Sequence, residues 1–232
     1  MGPRDDRLVI LDIGATLVTG PARGPWSRIA ERLDLDAGTR AALRRALMTE
    51  RFDAPEEVVA FLRSIGSAGD DVAQAVEDVW VAQMTEAEPL PGAFEALAAL
   101  RDTGLRIALI SNIWAPYLAS VRVSYGAFFD DEVSPELQYF SFREGVAKPS
   151  QMPFRTILER AGVTADAALM IGDSYAEDIE PAAALGLQTL WVLHRPQREA
   201  DALVRVLNGD APRATRTIRS IDGLDVEGAF AT

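Results

Sequence analysis

Four short apolar runs punctuate the chain, at Arg7–Ile13, Leu105–Ser111, Ala168–Ile171 and Gln188–Leu193. Each has the length of a buried strand, and stretches with apolar residues at helical spacing separate them. Alternation of this kind predicts an α/β fold with a parallel, Rossmann-like sheet covered by helices. Two helices are marked by their ends: PGAFEALAALRDTG, with Pro91 near the first turn and Gly104 at the stop, and SQMPFRTILERAG, from Ser150 to Gly162. Between about Thr19 and Pro89 the pattern changes. Four helical segments follow one another (WSRIAERLDL, GTRAALRRALMTE, PEEVVAFLRSIG, DDVAQAVEDVWVAQM) with no convincing strand. The expected organisation is therefore an α/β core over residues 1–18 and 90–232, with a helical insert over 19–89 and PLPG at Pro89–Gly92 marking the return.

Composition narrows the possibilities. The chain has 232 residues, is 48% hydrophobic and carries a formal net charge of −12. That charge disfavours polyanions, and no basic cluster is dense enough to reverse it locally, so a nucleic-acid partner is not expected. No apolar run approaches the roughly 18 residues that span a bilayer, so no membrane partner is expected either. MGPRDDR leads into the first strand without an apolar segment and cleavage site, which predicts no secretory leader. There is no cysteine, so disulfides and thiolate metal sites are excluded and a reducing cytoplasm is the expected compartment. A small anionic ligand stays compatible, because one metal ion and one lysine can invert the potential inside a pocket. The sequence leaves oligomeric state open.

Ligands of open parallel sheets bind at the carboxyl ends of the strands. Four groups fall there: Asp12 after the first run, Ser111 and Asn112 at the end of ALISN, Asp173 with Ser174 and Asp178 after ALMIG, and Lys148 in GVAKPS. Asp12, Ser111, Asn112, Asp173 and Asp178 each also have an ordinary reading as turn or helix-cap residues. Lys148 is harder to explain that way. All other basic side chains among the 23 Lys+Arg are arginine, so a compact ammonium is retained at one position only. Three carboxylates around one crevice repel one another unless a cation sits among them, and an all-oxygen ligand set suits Mg²⁺. The lysine would balance a nucleophilic aspartate and a bound phosphoryl group, whose oxygens the Ser111 hydroxyl and nearby backbone N–H groups can bind.

The order DIGATL, ALISN, GVAKPS, MIGDSYAEDIEPA resembles the four motifs of the haloacid dehalogenase (HAD) superfamily, over Leu8 to about Val192. The helical insert is similar to that family's small α-helical cap. The resemblance implies a Mg²⁺-dependent phosphatase of a small phosphorylated metabolite, such as a sugar phosphate. It implies Asp12 as the nucleophile that forms an aspartyl-phosphate, Lys148 as the charge-steadying catalytic group, and Thr16, Ser111 and Asn112 around the phosphoryl group. It also implies Asp12, Asp173, Asp178 and the Gly14 carbonyl as metal ligands.

Phosphatases of that family usually carry a second aspartate two residues after the nucleophile, where this chain has Gly14. General acid–base help is worth roughly 10²–10⁴-fold, so the sequence predicts a depleted site. Either the substrate has a leaving group that needs little protonation, such as an anomeric sugar phosphate or an acyl phosphate, or a carboxylate of the insert supplies the proton, with Glu31, Asp34, Asp36 and Glu50 as candidate sources among which the sequence does not choose. Two alternatives stay open at this point: a non-catalytic phosphate- or partner-binding relative, and a metal-independent 2-haloacid dehalogenase. Phosphonate cleavage is set aside, because the insert lacks the lysine it requires. Lone His194 reads as a loop residue. Trp26, Trp80 and Trp114 read as packing residues, with Trp114 placed to line a substrate pocket.

Overall fold

The computed structural model describes residues 6–20, 22–66 and 69–230. Six strands form one parallel sheet in the order β5-β4-β1-β6-β7-β8. They are β1 (Leu8–Leu11), β4 (Arg106–Ser111), β5 (Gln138–Phe140), β6 (Ala168–Gly172), β7 (Gln188–Val192) and β8 (Arg216–Ile218). A two-stranded antiparallel ribbon joins β2 (Val18–Thr19) to β3 (Glu88–Pro89). The helices are α1 (Pro25–Arg32), α2 (Ala37–Thr49), α3 (Pro55–Ser64), α4 (Val72–Gln83), α5 (Ala93–Asp102), α6 (Ala115–Glu132), α7 (Ser141–Glu144), α8 (Met152–Ala161), α9 (Glu180–Ala184), α10 (Ala200–Asn208) and α11 (Val226–Phe230).

β1 lies between β4 and β6, and every residue of β1 and β6 is buried. Burial on both faces explains why these strands read as unbroken apolar runs. From β1 the chain builds outward through β4 to β5, then crosses to β6 and builds outward through β7 to β8. The carboxyl ends of β1, β4 and β6 therefore border the crevice where the winding reverses, the ligand position of such sheets.

The four insert helices appear where their periodicity places them, α1 to α4. The Asp36 side chain caps α2 by accepting from the backbone N–H groups of Gly38 and Thr39; Pro55 opens α3, with Glu56 and Glu57 in its first turn. These helices bury their own apolar cluster, including Ile29, Leu43, Leu47, Val58, Leu62 and Val76. Trp114 from the end of the β4 loop inserts into that cluster and meets Trp80 edge-on at 5.3 Å. The insert is thus a helical cap keyed to the sheet by one indole. Below it, Gly20 passes so close to α6 that a Cβ would come within 2.6 Å of the Tyr117 hydroxyl, which donates to the Thr19 carbonyl at 2.8 Å.

The strands absent from the expected set are short. β5 has three residues, and β8 is an edge strand with two exposed positions out of three, so neither carries a readable apolar run. The β2–β3 ribbon has two residues on each side.

Because Ile10 is fully buried at the centre of the sheet, Ile10→Ala should cost about 2–5 kcal/mol. Denaturant unfolding would show this as a lower midpoint at an unchanged slope. A loss below about 1 kcal/mol would mean that β1 is not packed as described.

Candidate active site

The site starts from two strand ends held side by side. Asp12 follows β1 and Asp173 follows β6, and the Asp12 N–H donates to the Ile171 carbonyl at 2.9 Å, which fixes the two exits together. After Asp173 the backbone makes a π-type turn over Tyr175–Ile179 before α9 begins. This turn folds Asp178 back under β6, where its Oδ2 accepts from the Ser174 N–H at 3.0 Å. Gly172 makes room for it: a Cβ there would strike the Asp178 carboxyl group.

Lys148 arrives from the opposite side. Its Nζ donates to Asp12 Oδ1 at 2.7 Å, Asp178 Oδ1 at 2.5 Å and the Ile110 carbonyl at 3.2 Å. Three donors on one ammonium meet three acceptors, a demand a planar guanidinium does not match. Burial pulls the Lys148 pKa down, but the Asp12 and Asp178 carboxylates outweigh it and hold the group above the ordinary lysine range. Burial likewise pushes Asp178 well above the ordinary aspartate value, against the pull of Lys148. Asp173 is raised to about 6, by burial first and by repulsion from Asp12 second; the Arg195 guanidinium, 2.5 Å from its Oδ2, offsets part of this.

Potential ligand oxygens of Asp12, Asp173 and Asp178 all lie within 4.8 Å of one another, and all three residues are buried. A hard divalent cation fits such a set: the donors are carboxylate oxygens, and like charges this close are costly without a cation among them. The three acids form the floor of a cavity of about 380 Å³ that Gly14, Ser111, Asn112 and Lys148 also line. The expectation of a depleted site is thereby corrected. Three aspartates converge, so the acidic set is intact and the site is not defined by a glycine substitution. None of the candidate carboxylates Glu31, Asp34, Asp36 and Glu50 lines the cavity. Glu31 instead pairs with Arg23 at the surface, and Asp36 is spent on its helix cap.

The remaining predicted residues fall as follows. Thr16 is fully buried behind Asp12, and its hydroxyl donates to Asp12 Oδ2 at 3.2 Å. Asn112 is engaged by Lys148: its Oδ1 accepts from the Lys148 N–H at 2.8 Å and its Nδ2 donates to the Lys148 carbonyl at 2.9 Å. Trp114 lines the cavity as expected, and its Nε1 donates to Gln83 of α4 at 2.8 Å. Trp26 also lines the cavity, which corrects its reading as packing only. His194 does not, but its neighbour Arg195 does, along with Arg44, Glu177, Arg198 and Glu199. Arg195 follows β7, so the strand-end rule that found Asp12 and Asp173 could have found it too.

With this geometry in hand, comparison with known proteins is direct. Residues 9–186 match the haloacid dehalogenase-like hydrolase family, and the chain belongs to it. Over 123 residues it is 33% identical to a ribulose-1,5-bisphosphate 5-phosphatase of Halopiger xanaduensis, a match covering 53% of this chain and 49% of that protein. Over 104 residues it is 32% identical to a glyceraldehyde 3-phosphate phosphatase of Pyrococcus abyssi, covering 44% of this chain and 41% of that protein. The matches thus span half or less of these curated relatives. Among solved structures, a 2-haloacid dehalogenase from Pseudomonas syringae pv. tomato superimposes with a TM-score of 0.61 at 19% identity, covering 97% of this chain and 98% of that one. At that identity the likeness is one of fold. No described helix is long and apolar enough to cross a membrane.

The raised Asp173 pKa has a defined sign. Between about pH 4 and 6 the folded protein holds a proton that the unfolded chain has released, so this group's stabilisation is lost as pH rises through about 6. A cation binds the ionised carboxylate, so its stabilising effect runs the other way. Saturating Mg²⁺ should raise the melting midpoint little near about pH 5 and clearly more near about pH 7.5. An equal or larger increment at the lower pH would contradict the assignment.

Proposed function

We propose that this chain is a Mg²⁺-dependent phosphatase that hydrolyses a small phosphorylated metabolite at the cavity floor. The observation that carries this reading is the meeting of Asp12, Asp173 and Asp178 around the ammonium of Lys148. The cavity, about 380 Å³, is of a size for a small metabolite. The curated relatives are themselves named as phosphatases of ribulose 1,5-bisphosphate and glyceraldehyde 3-phosphate.

In this reading Asp12, Asp173 and Asp178, with the Gly14 carbonyl, hold Mg²⁺. When bound, the ion supplies positive charge that lets a phosphoryl oxyanion approach the carboxylates. Asp12 is the nucleophile. Lys148 grips Oδ1 at 2.7 Å, while among the described residues Oδ2 is held only by the Thr16 hydroxyl at 3.2 Å, so Oδ2 is the freer oxygen to attack phosphorus. The P–O ester bond breaks as the bond to Asp12 forms, the leaving oxygen takes up a proton from water and departs as the alcohol, and a second water then cleaves the aspartyl-phosphate to give phosphate and restore the carboxylate. Ser111 and Asn112 line the same end of the cavity, and we assign them to the phosphoryl group, the Ser111 hydroxyl as a donor to its oxygens. We assign residues 1–18 and 90–232 to the core that performs these steps, and 19–89 to the cap that shields them from water.

Phosphate release should be measured on small phosphate esters, including triose and pentose phosphates, with Mg²⁺ and with EDTA. The expected outcome is release that EDTA abolishes, and an Asp12→Asn variant that folds yet loses about 10³-fold or more in kcat. Release that survives both EDTA and Asp12→Asn would overturn the proposal.

A further inference from the structure

Among the described residues, Arg44 is the one charged side chain of the cap helices that lines the cavity. Its guanidinium lies over the Trp26 ring, 5.3 Å from the centroid, and its Nη2 is 3.7 Å from Glu177 Oε1. Glu177 sits in the π-type turn, one residue before Asp178. Its other oxygen, Oε2, accepts from Asn112 Nδ2 at 2.9 Å. Asn112 in turn holds the Lys148 main chain from both sides, accepting from its N–H and donating to its carbonyl. Lys148 then reaches Asp12 and Asp178.

We propose that Glu177 is a positioning residue that couples the cap to Lys148, through Arg44 on one side and Asn112 on the other. The two oxygens of one carboxylate face the two parts of the molecule. The amide of Asn112 has two N–H donors, one for the Lys148 carbonyl and one for Glu177, so Glu177 fixes the plane in which the amide grips Lys148. Arg44 fixes Glu177 in turn. The Arg44–Glu177 pair is long and its side chains are 59% and 33% exposed, weak enough to be made and broken as the cap approaches or leaves. The Asn112 bonds are shorter and partly buried, so they transmit the placement of Glu177 to the lysine. A closed cap would thus set the ammonium against Asp12, and an open cap would leave it looser. The link to turnover rests on the phosphatase reading; the coupling itself does not.

The test follows amide hydrogen exchange at Lys148 in the full-length, metal-free chain, alongside kcat and KM on a hydrolysed phosphate ester. Arg44→Ala touches none of the bonds around Lys148, yet it should speed exchange at that amide about fivefold or more while the melting midpoint holds. Arg44→Lys should restore part of the protection. Glu177→Ala should speed exchange at least as much, and the double variant should match Glu177→Ala alone. Where turnover is measurable, kcat should fall about tenfold in Arg44→Ala with a smaller change in KM. Unchanged exchange with a raised KM would make Arg44 a substrate ligand only and overturn the coupling, as would additive effects in the double variant. If Glu177→Ala fails to fold, Glu177→Gln replaces it in the cycle: the amide keeps an acceptor for Asn112 but loses the charge that Arg44 meets. If no ester is hydrolysed, the phosphatase reading fails while exchange still decides the coupling.

Discussion

One buried ammonium holds the site together. Lys148 is 4% exposed and gives its three hydrogen bonds to carboxylates from two different strand ends and to the backbone of a third strand. Removing such a cation would strand two buried carboxylates, a change that typically costs about 3–5 kcal/mol. The same charge that steadies Asp12 and Asp178 acts on Asp173 more weakly than Arg195 does, whose guanidinium donates directly to the Asp173 carboxylate. The three converging carboxylates form a cluster able to coordinate a divalent cation.

The parallel sheet makes this arrangement possible by delivering β1, β4 and β6 to one edge with their carboxyl ends aligned. Packing then refines it. Gly172 yields the space that Asp178 fills, and the π-type turn advances Asp178 to a position under the strand from which it came. Turns of this type are uncommon within helices and tend to mark functional sites. Above the floor, the cap contributes Trp26 and Arg44, and the core contributes Trp114 and Tyr117, so the cavity wall is shared between the two layers.

Much of this was legible in the chain. Asp12, Asp173 and Asp178 each also read as turn or cap residues, and it is their shared place at or just past the carboxyl ends of buried strands, in the order of the family's motifs, that marks them; Lys148 stands out because arginine replaces lysine at every other basic position. Gly14 misleads because a reading along the chain looks two residues past Asp12, whereas the acids of the site meet in space, from the ends of β1 and β6 and from the turn that follows β6. Glu177 and Arg195 were passed over although both stand beside residues that were singled out. A glutamate next to a proposed ligand reads as a solvated charge until the structure shows its oxygens facing Arg44 and Asn112. Arg44 and Trp26 were illegible for a different reason: which face of a cap helix looks onto the cavity depends on how the cap docks, and periodicity alone does not carry that.

The claim that a divalent cation completes the acidic cluster is tested most directly by a crystal structure of the protein grown with Mn²⁺ in place of Mg²⁺. An anomalous peak bounded by Asp12, Asp173 and Asp178, with Arg195 withdrawn from the Asp173 carboxylate, is the result expected. A well-ordered structure with no peak among the three aspartates, and Arg195 still on Asp173, would contradict it.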